Sequence, residues 1–210
     1  MMFDKMRTAM VDSQLRTTGV NDPSVLAAIR AVPRERFVPA ARAAQAYADA
    51  AVELVPGRWL IEPMVFGLLV TNAHVEPGDR VLVVGAGSGY SAAVIGQLTP
   101  HVTALEQDPA LAALARANGI AVVEGPLVDG WPAAAPYDVL FCDGAVAELP
   151  PALLAQASDG ARLAAVVVGP DGVGRATVGR VFGGRFTGTG FIETGAAMLP
   201  GFGRAAGFVF

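Results

Sequence analysis

From Arg80 onward the chain alternates short apolar runs with amphipathic stretches. The runs VLVV (81–84), VTALE (102–106), IAVVEG (120–125), YDVLFCD (137–143) and ARLAAVVV (161–168) are too short and too apolar for surface helices. They read as strands buried on both faces. Between them SAAVIGQL (91–98), PALAALARA (109–117) and PPALLAQA (150–157) read as helices. Strand and helix in alternation predict a parallel sheet with right-handed crossovers. After residue 168, GRATVGRVF, a Gly-rich turn and a final GFVF predict an antiparallel pair closing one edge. Ahead of Arg80, residues 4–17 show helical amphipathicity. A second helix follows Gly19, capped by Asn21 or Asp22, with Pro23 in its first turn and Pro33 at its end. Residues 33–62 mix prolines with short apolar pieces and read as irregular, leading into a helix from Pro63 to Asn72.

At 210 residues this is one α/β domain, 1–210, with a covering segment at 1–79 and a core at 80–210. A hydrophobic share of 53% against 16% charged excludes a disordered chain and leaves room for a homo-oligomer. Fifteen basic against nineteen acidic residues, with no basic cluster, argue against a nucleic-acid partner. Cys142 stands alone in an apolar run as a core thiol, and His74 and His101 have no partners at ligand spacing, so no metal site is expected. The charged start lacks the apolar core of a signal peptide, and no apolar run reaches the length of a membrane span. The expectation is a soluble, cytoplasmic protein with no membrane partner.

The chemistry gathers at VLVVGAGSGYSA. Gly85, Gly87 and Gly89 follow the first strand as G-x-G-x-G, whereas a dinucleotide fingerprint needs its third glycine where Tyr90 stands. This spacing marks the S-adenosylmethionine-dependent methyltransferase fold, with S-adenosyl-L-methionine over Val84, Gly85, Ala86, Gly87, Ser88 and Gly89. Glu106 ends the second strand, where a carboxylate accepts both hydroxyls of a ribose, and Gln107 follows it. The plainer alternatives are a tight strand-to-helix turn without a ligand and a solvated glutamate at a strand end.

The segments AIRAVPRERFVP (28–39), AYADAAV (46–52), VLVVGAGSGYSAAVIGQL (81–98) and GWPAAAPYDVLFCDGAVAELPPALLAQASDGARL (130–163) occur together and in order. The chain thereby resembles the protein-L-isoaspartate O-methyltransferase family over about residues 10–168. That resemblance implies a class I methyltransferase fold: a Rossmann-like three-layer sandwich with a mostly parallel seven-stranded sheet, an antiparallel C-terminal pair and N-terminal helices. It also implies methyl transfer from S-adenosyl-L-methionine to the α-carboxyl of isoaspartyl residues in damaged proteins. No catalytic side chain is assigned, because a carboxylate is already a nucleophile at neutral pH. The family's T-I-S-x-P aligns with 59–63 and puts Leu60 and Ile61 beside the acceptor, and its G-D-G aligns with Gly125, Pro126 and Leu127 at the adenine. Three family polar residues are replaced, by Ile61, Val83 and Pro126, with Asp129 or Gln107 as substitute contacts. Two alternatives therefore stay open: a non-catalytic binding or interaction module, and a methyltransferase for a more apolar acceptor. Among the remaining residues, Tyr47 and Asp49 read as acceptor neighbours or surface positions, and Arg34 and Arg36 as substrate contacts or helix-end partners. Trp131 is expected against the sheet edge. The tail phenylalanines Phe182, Phe186, Phe191, Phe202, Phe208 and Phe210 are expected in strand packing or a subunit contact.

Overall fold

The structure, a computed structural model, describes residues 2–204. Helix α1 (Met2–Ala9) continues through a π-helical turn (Met10–Leu15) and a 3-10 turn (Arg16–Thr18). It stops at Gly19, whose φ of 102° ends the winding. Helix α2 (Pro23–Ala31) begins as expected: the Asp22 carboxylate accepts from the backbone N–H groups of Ser24 and Val25 at 2.8 and 3.2 Å, and Pro23 occupies the first turn. Replacing Asp22 with alanine strands those donors. The variant is expected to lose about 1 kcal/mol of stability, which urea unfolding would read as a lower midpoint at unchanged slope.

The region read as irregular contains a hairpin, β1 (Val52–Val55) and β2 (Arg58–Leu60), turned at Pro56 and Gly57 and carrying a bulge at Leu54. Helix α3 (Pro63–Ala73) follows, and the main sheet starts at β3 (Val81–Val84). Thereafter come α4 (Tyr90–Ile95), β4 (Val102–Glu106), α5 (Pro109–Ala117), β5 (Val122–Glu124), β6 (Tyr137–Val146), α6 (Pro151–Leu154) and β7 (Ala157–Val168). Strands β8 (Gly174–Phe182) and β9 (Arg185–Glu193) complete seven strands in the order β5-β4-β3-β6-β7-β8-β9. Pairing is parallel from β5 to β7 and antiparallel for β8 and β9.

Alternation along β3 shows why both faces had to be apolar. Val81 and Val83 point into the cluster built from the N-terminal helices, α3 and α4, while Leu82 and Val84 join Leu127, Leu153, Leu199 and Phe202 on the other face. The result is the three-layer, mostly parallel architecture expected for class I methyltransferases. The expected edge pair is corrected in its second member: β8 pairs with β9, whose RFTGTGFIE falls in the stretch the pattern assigns to a Gly-rich turn, and the final GFVF lies outside the described residues. Glycines conceal this strand from pattern reading. Gly179 faces Gly188, and a Cβ on Gly179 would sit 2.1 Å from the Thr187 carbonyl oxygen, so the two backbones need the missing side chains to pair. Other boundaries shift too. Strand β6 runs on to Val146, β7 starts at Ala157, and α6 shrinks to four residues. Phe202 is buried, whereas Phe182 and Phe191 are exposed.

Candidate functional site

Strand β3 delivers Val84 to a turn that only glycines can make. Gly85, Gly87 and Gly89 have φ of 76°, 56° and 94°. The N–H groups of Gly85 and Ala86 both donate to the Leu105 carbonyl at 2.9 Å, which ties the turn to β4. On its far side the Ser88 hydroxyl donates to the Phe37 carbonyl at 2.6 Å, and the Asn118 amide donates to the Ser88 carbonyl at 3.1 Å. The turn and Glu106 therefore meet at the carboxyl ends of β3 and β4, where open α/β sheets hold their ligands.

Glu106 is fully buried, and its partners are internal. The Arg58 guanidinium meets it in a two-pronged pair, Nη1 to Oε1 at 2.7 Å and Nη2 to Oε2 at 2.6 Å. Three backbone N–H groups complete the shell: Gly87 donates to Oε2 at 2.8 Å, and Gln107 and Asp108 donate to Oε1 at 2.8 and 2.9 Å. A carboxylate offers about four lone-pair sites, so five donors saturate it. The solvated-glutamate alternative is thus corrected, and the acceptors a ribose diol would use are taken up by Arg58.

The space above the glycines is also filled. Leu199 Cδ2 lies 2.7 Å from where a Cβ would stand on Gly85, and 2.7 Å from the corresponding point on Gly144 at the end of β6. Leu54 of the hairpin bulge reaches to 3.1 Å of the same point on Gly87. Residues 196–203 are pinned across this edge by Ala145 N–H to Ala197 O, Leu199 N–H to Ala145 O and Ala147 N–H to Phe202 O, each 2.8 Å. Cavities of about 460 and 430 Å³ open elsewhere, against β8 and β9 at Arg175 and Phe186 and along α1 at Asp4 and Thr8. Leu54, Arg58 and Leu199 thus occupy the space against the turn in this conformation.

The remaining expected positions gather around the same edge. Gly125 N–H donates to the Glu106 carbonyl at 3.2 Å, Pro126 starts a short 3-10 turn (Leu127–Asp129), and the buried Leu127 donates its N–H to Gln107 Oε1 at 3.3 Å. Gln107 is therefore a backbone brace in this conformation. The Asp129 carbonyl accepts from the Gln156 amide at 2.6 Å. Trp131 is half-buried and packs on Gly125. Leu60 and Ile61 are both buried, Leu60 within β2, so neither presents an open acceptor surface.

Arg34, expected as a substrate contact or a helix-end partner, is neither open to a substrate nor a helix cap. It is wholly buried, donates from Nε to the Ala46 carbonyl at 2.8 Å and from Nη2 to the Ile61 carbonyl, and stacks 4.7 Å from the Tyr90 ring centroid. It thereby fixes the segment carrying Leu60 and Ile61. Tyr47 is buried as well, with its hydroxyl donating to Glu35, which corrects the surface alternative for that residue.

Pattern reading missed Arg58, Leu199 and Asp143. Arg58 carried a signal: it is the only Lys or Arg between Arg42 and Arg80, and it follows a Pro-Gly pair between two apolar runs. Asp143 lies within the carboxyl-terminal half of β6, accepts from the Ser91 hydroxyl and is buried. Burial pushes its carboxyl up to about 6, opposed by the Ser91 bond and the charges of Arg58 and Arg34. Burial likewise pushes the Cys142 thiol up to about 12, which keeps it an inert core group.

A family sequence model described as protein-L-isoaspartate(D-aspartate) O-methyltransferase matches residues 5–176. The protein-L-isoaspartate O-methyltransferase of Methylorubrum extorquens is 41% identical over 172 residues, covering 79% of this chain and 75% of that protein. That of Methylorubrum populi is 40% identical over 177 residues, covering 81% and 83%. Among solved structures, a Plasmodium falciparum protein described as a putative protein-L-isoaspartate O-methyltransferase in complex with S-adenosyl-L-homocysteine superposes with a TM-score of 0.77. At 17% identity over 92% of this chain and 97% of that one, the superposition establishes the shared fold.

Proposed function

The chain belongs to the protein-L-isoaspartate(D-aspartate) O-methyltransferase family, and on that membership we propose that it is an S-adenosyl-L-methionine-dependent methyltransferase acting on the α-carboxyl of isoaspartyl residues in damaged proteins. The observation that carries the reading is the family match across residues 5–176, which takes in both the glycine turn and Glu106. The chemistry asks little of side chains. An ionised carboxylate needs no general base, and holding it in line in a water-excluded site supplies most of the rate. Leu60 and Ile61 are the proposed acceptor neighbours. Val84 to Gly89, Glu106, Gln107 and Gly125 to Leu127 are the proposed cofactor neighbours, once the groove is open. The same reading puts the protein in the cytoplasm, with damaged proteins rather than nucleic acid or membranes as partners and the exposed Phe182 and Phe191 as a face for self-association. Among the described residues no helix is long and apolar enough to cross a membrane.

The test is incorporation of labelled methyl from S-adenosyl-L-methionine into an isoaspartyl peptide, with the matching aspartyl peptide as control. Base-labile label on the isoaspartyl peptide alone is the expected result. None at stoichiometric enzyme removes the substrate claim. A non-catalytic family member is the second reading, favoured by the filled groove together with Ile61, Val83 and Pro126, and any methyl transfer ends it.

A further inference from the structure

We propose that Arg58 and Leu199 form a built-in latch on the cofactor groove, Arg58 standing in for a ribose diol at Glu106 and Leu199 filling the space over Gly85 and Gly144. A nucleoside-bearing ligand then enters only the form in which the β1–β2 hairpin and the strap of residues 196–204 have lifted. The inference rests on the methyltransferase reading for its ligand and on the packing for its mechanism.

Two independent contacts hold the latch, one polar and one apolar. Arg58 reaches Glu106 from a hairpin outside the seven-stranded sheet, and its Nη2 also points at the Gly85 carbonyl at 3.3 Å. Leu54 of the same hairpin presses on Gly87, so both strands of the hairpin touch the turn. Leu199 arrives from the opposite end of the chain on a strap bound at Ala145 of β6 and at Ala147 just beyond it. The strap crosses to the adenine side, where Gly201 sits against Val128, with 2.6 Å from its Cβ position to the Val128 Cγ1. It thus spans the whole carboxyl edge from the glycine turn to residues 126–128.

Neither the hairpin nor the strap is one of the seven strands of the main sheet. A two-stranded hairpin is marginal by itself, and local opening draws on the least stable elements of a fold. The Glu106 carboxylate keeps its three backbone N–H donors when Arg58 leaves, so an opened site retains a positioned carboxylate with a free acceptor site on Oε2 for a ribose hydroxyl. If about 1% of molecules are open, apparent affinity falls about 100-fold below the intrinsic value.

The experiment is titration calorimetry of the full chain with S-adenosyl-L-homocysteine, on the unmodified protein and on Leu199→Ala and Arg58→Gln. Hydrogen exchange of residues 52–60 and 196–204 is followed with and without the ligand. Each folded variant is expected to bind at least about tenfold more tightly than the unmodified chain. Ligand is expected to speed exchange of both segments in the unmodified chain, a readout that survives if a variant fails to fold. Low-micromolar binding to the unmodified chain, unimproved by either variant and without faster exchange, overturns the latch while leaving the methyltransferase reading intact. Tighter binding by the variants with no methyl transfer to the isoaspartyl peptide upholds the latch and removes the reading. Absence of binding to every folded variant, with exchange unchanged, overturns the latch and takes the cofactor reading with it.

Discussion

Replacing Glu106 with alanine is expected to cost about 3–5 kcal/mol of stability, because it leaves the Arg58 guanidinium buried without its counter-ion. The Arg58 side chain is only 10% exposed and Glu106 not at all, so water cannot substitute for the lost carboxylate. The N–H groups of Gly87, Gln107 and Asp108 lose their acceptor in the same step. For a chain of this size the loss corresponds to a thermal midpoint lower by roughly 10 °C. The partner substitution, Arg58→Met, removes one side of the pair but leaves Glu106 its three backbone donors, and its cost should be the smaller of the two. Combining them measures the coupling: the double variant is expected to be less destabilised than the sum of the singles by at least about 1 kcal/mol. Denaturant unfolding of the four proteins decides the matter. Additive losses would mean that the guanidinium and carboxylate are not held together in solution.

The same residue shows how far the sequence could be read. Glu106 was legible as a strand-end carboxylate beside the glycine turn, because the strand positions followed from runs such as VLVV and VTALE. Its partner was not legible, since Arg58 lies 48 residues earlier and periodicity carries no information about pairing over that distance. The hairpin holding Arg58 is three to four residues per strand, too short for alternation to stand out beside the surrounding prolines. Leu199 was hidden differently. It belongs to no regular element and follows β9, a strand whose glycines suppress the apolar signature. Local pattern thus located the edge of the sheet where β3 and β4 end, while the residues packed against it came from two segments that reach it only through tertiary packing. Arg34 makes the same point: the two arginines of P-R-E-R read as substrate contacts or helix-end partners, yet Arg34 is spent on the carbonyls of Ala46 and Ile61.

Asp143→Asn is expected to act in the opposite direction from Glu106→Ala, stabilising the protein at neutral pH. The two buried carboxylates differ in what surrounds them. Glu106 has five donors, whereas Asp143 has the Ser91 hydroxyl on Oδ2 and no hydrogen-bond partner on Oδ1 among the described residues. Burial therefore dominates at Asp143, and its carboxyl is raised from 3.8 to about 6 in the folded state. Arg58 and Arg34 favour the charged form there and Glu106 disfavours it, a balance that leaves the net shift upward. The sign of the pH dependence follows. Between about pH 4 and 6 the folded chain binds a proton that the unfolded chain does not, so stability rises as pH falls through that window and is lost as pH rises through the folded value. Above it, both states are ionised and the folded one carries the burial cost, on the order of 3 kcal/mol for a shift of this size. Asparagine keeps an acceptor for Ser91 and removes the charge. The stability gain of the variant over the parent should be largest near pH 7.5 and shrink toward zero near pH 4, as read by urea unfolding across that range. A gain independent of pH would show that Asp143 does not titrate in the window, and a loss at pH 7.5 would show that its ionised form is held by a partner stronger than Ser91.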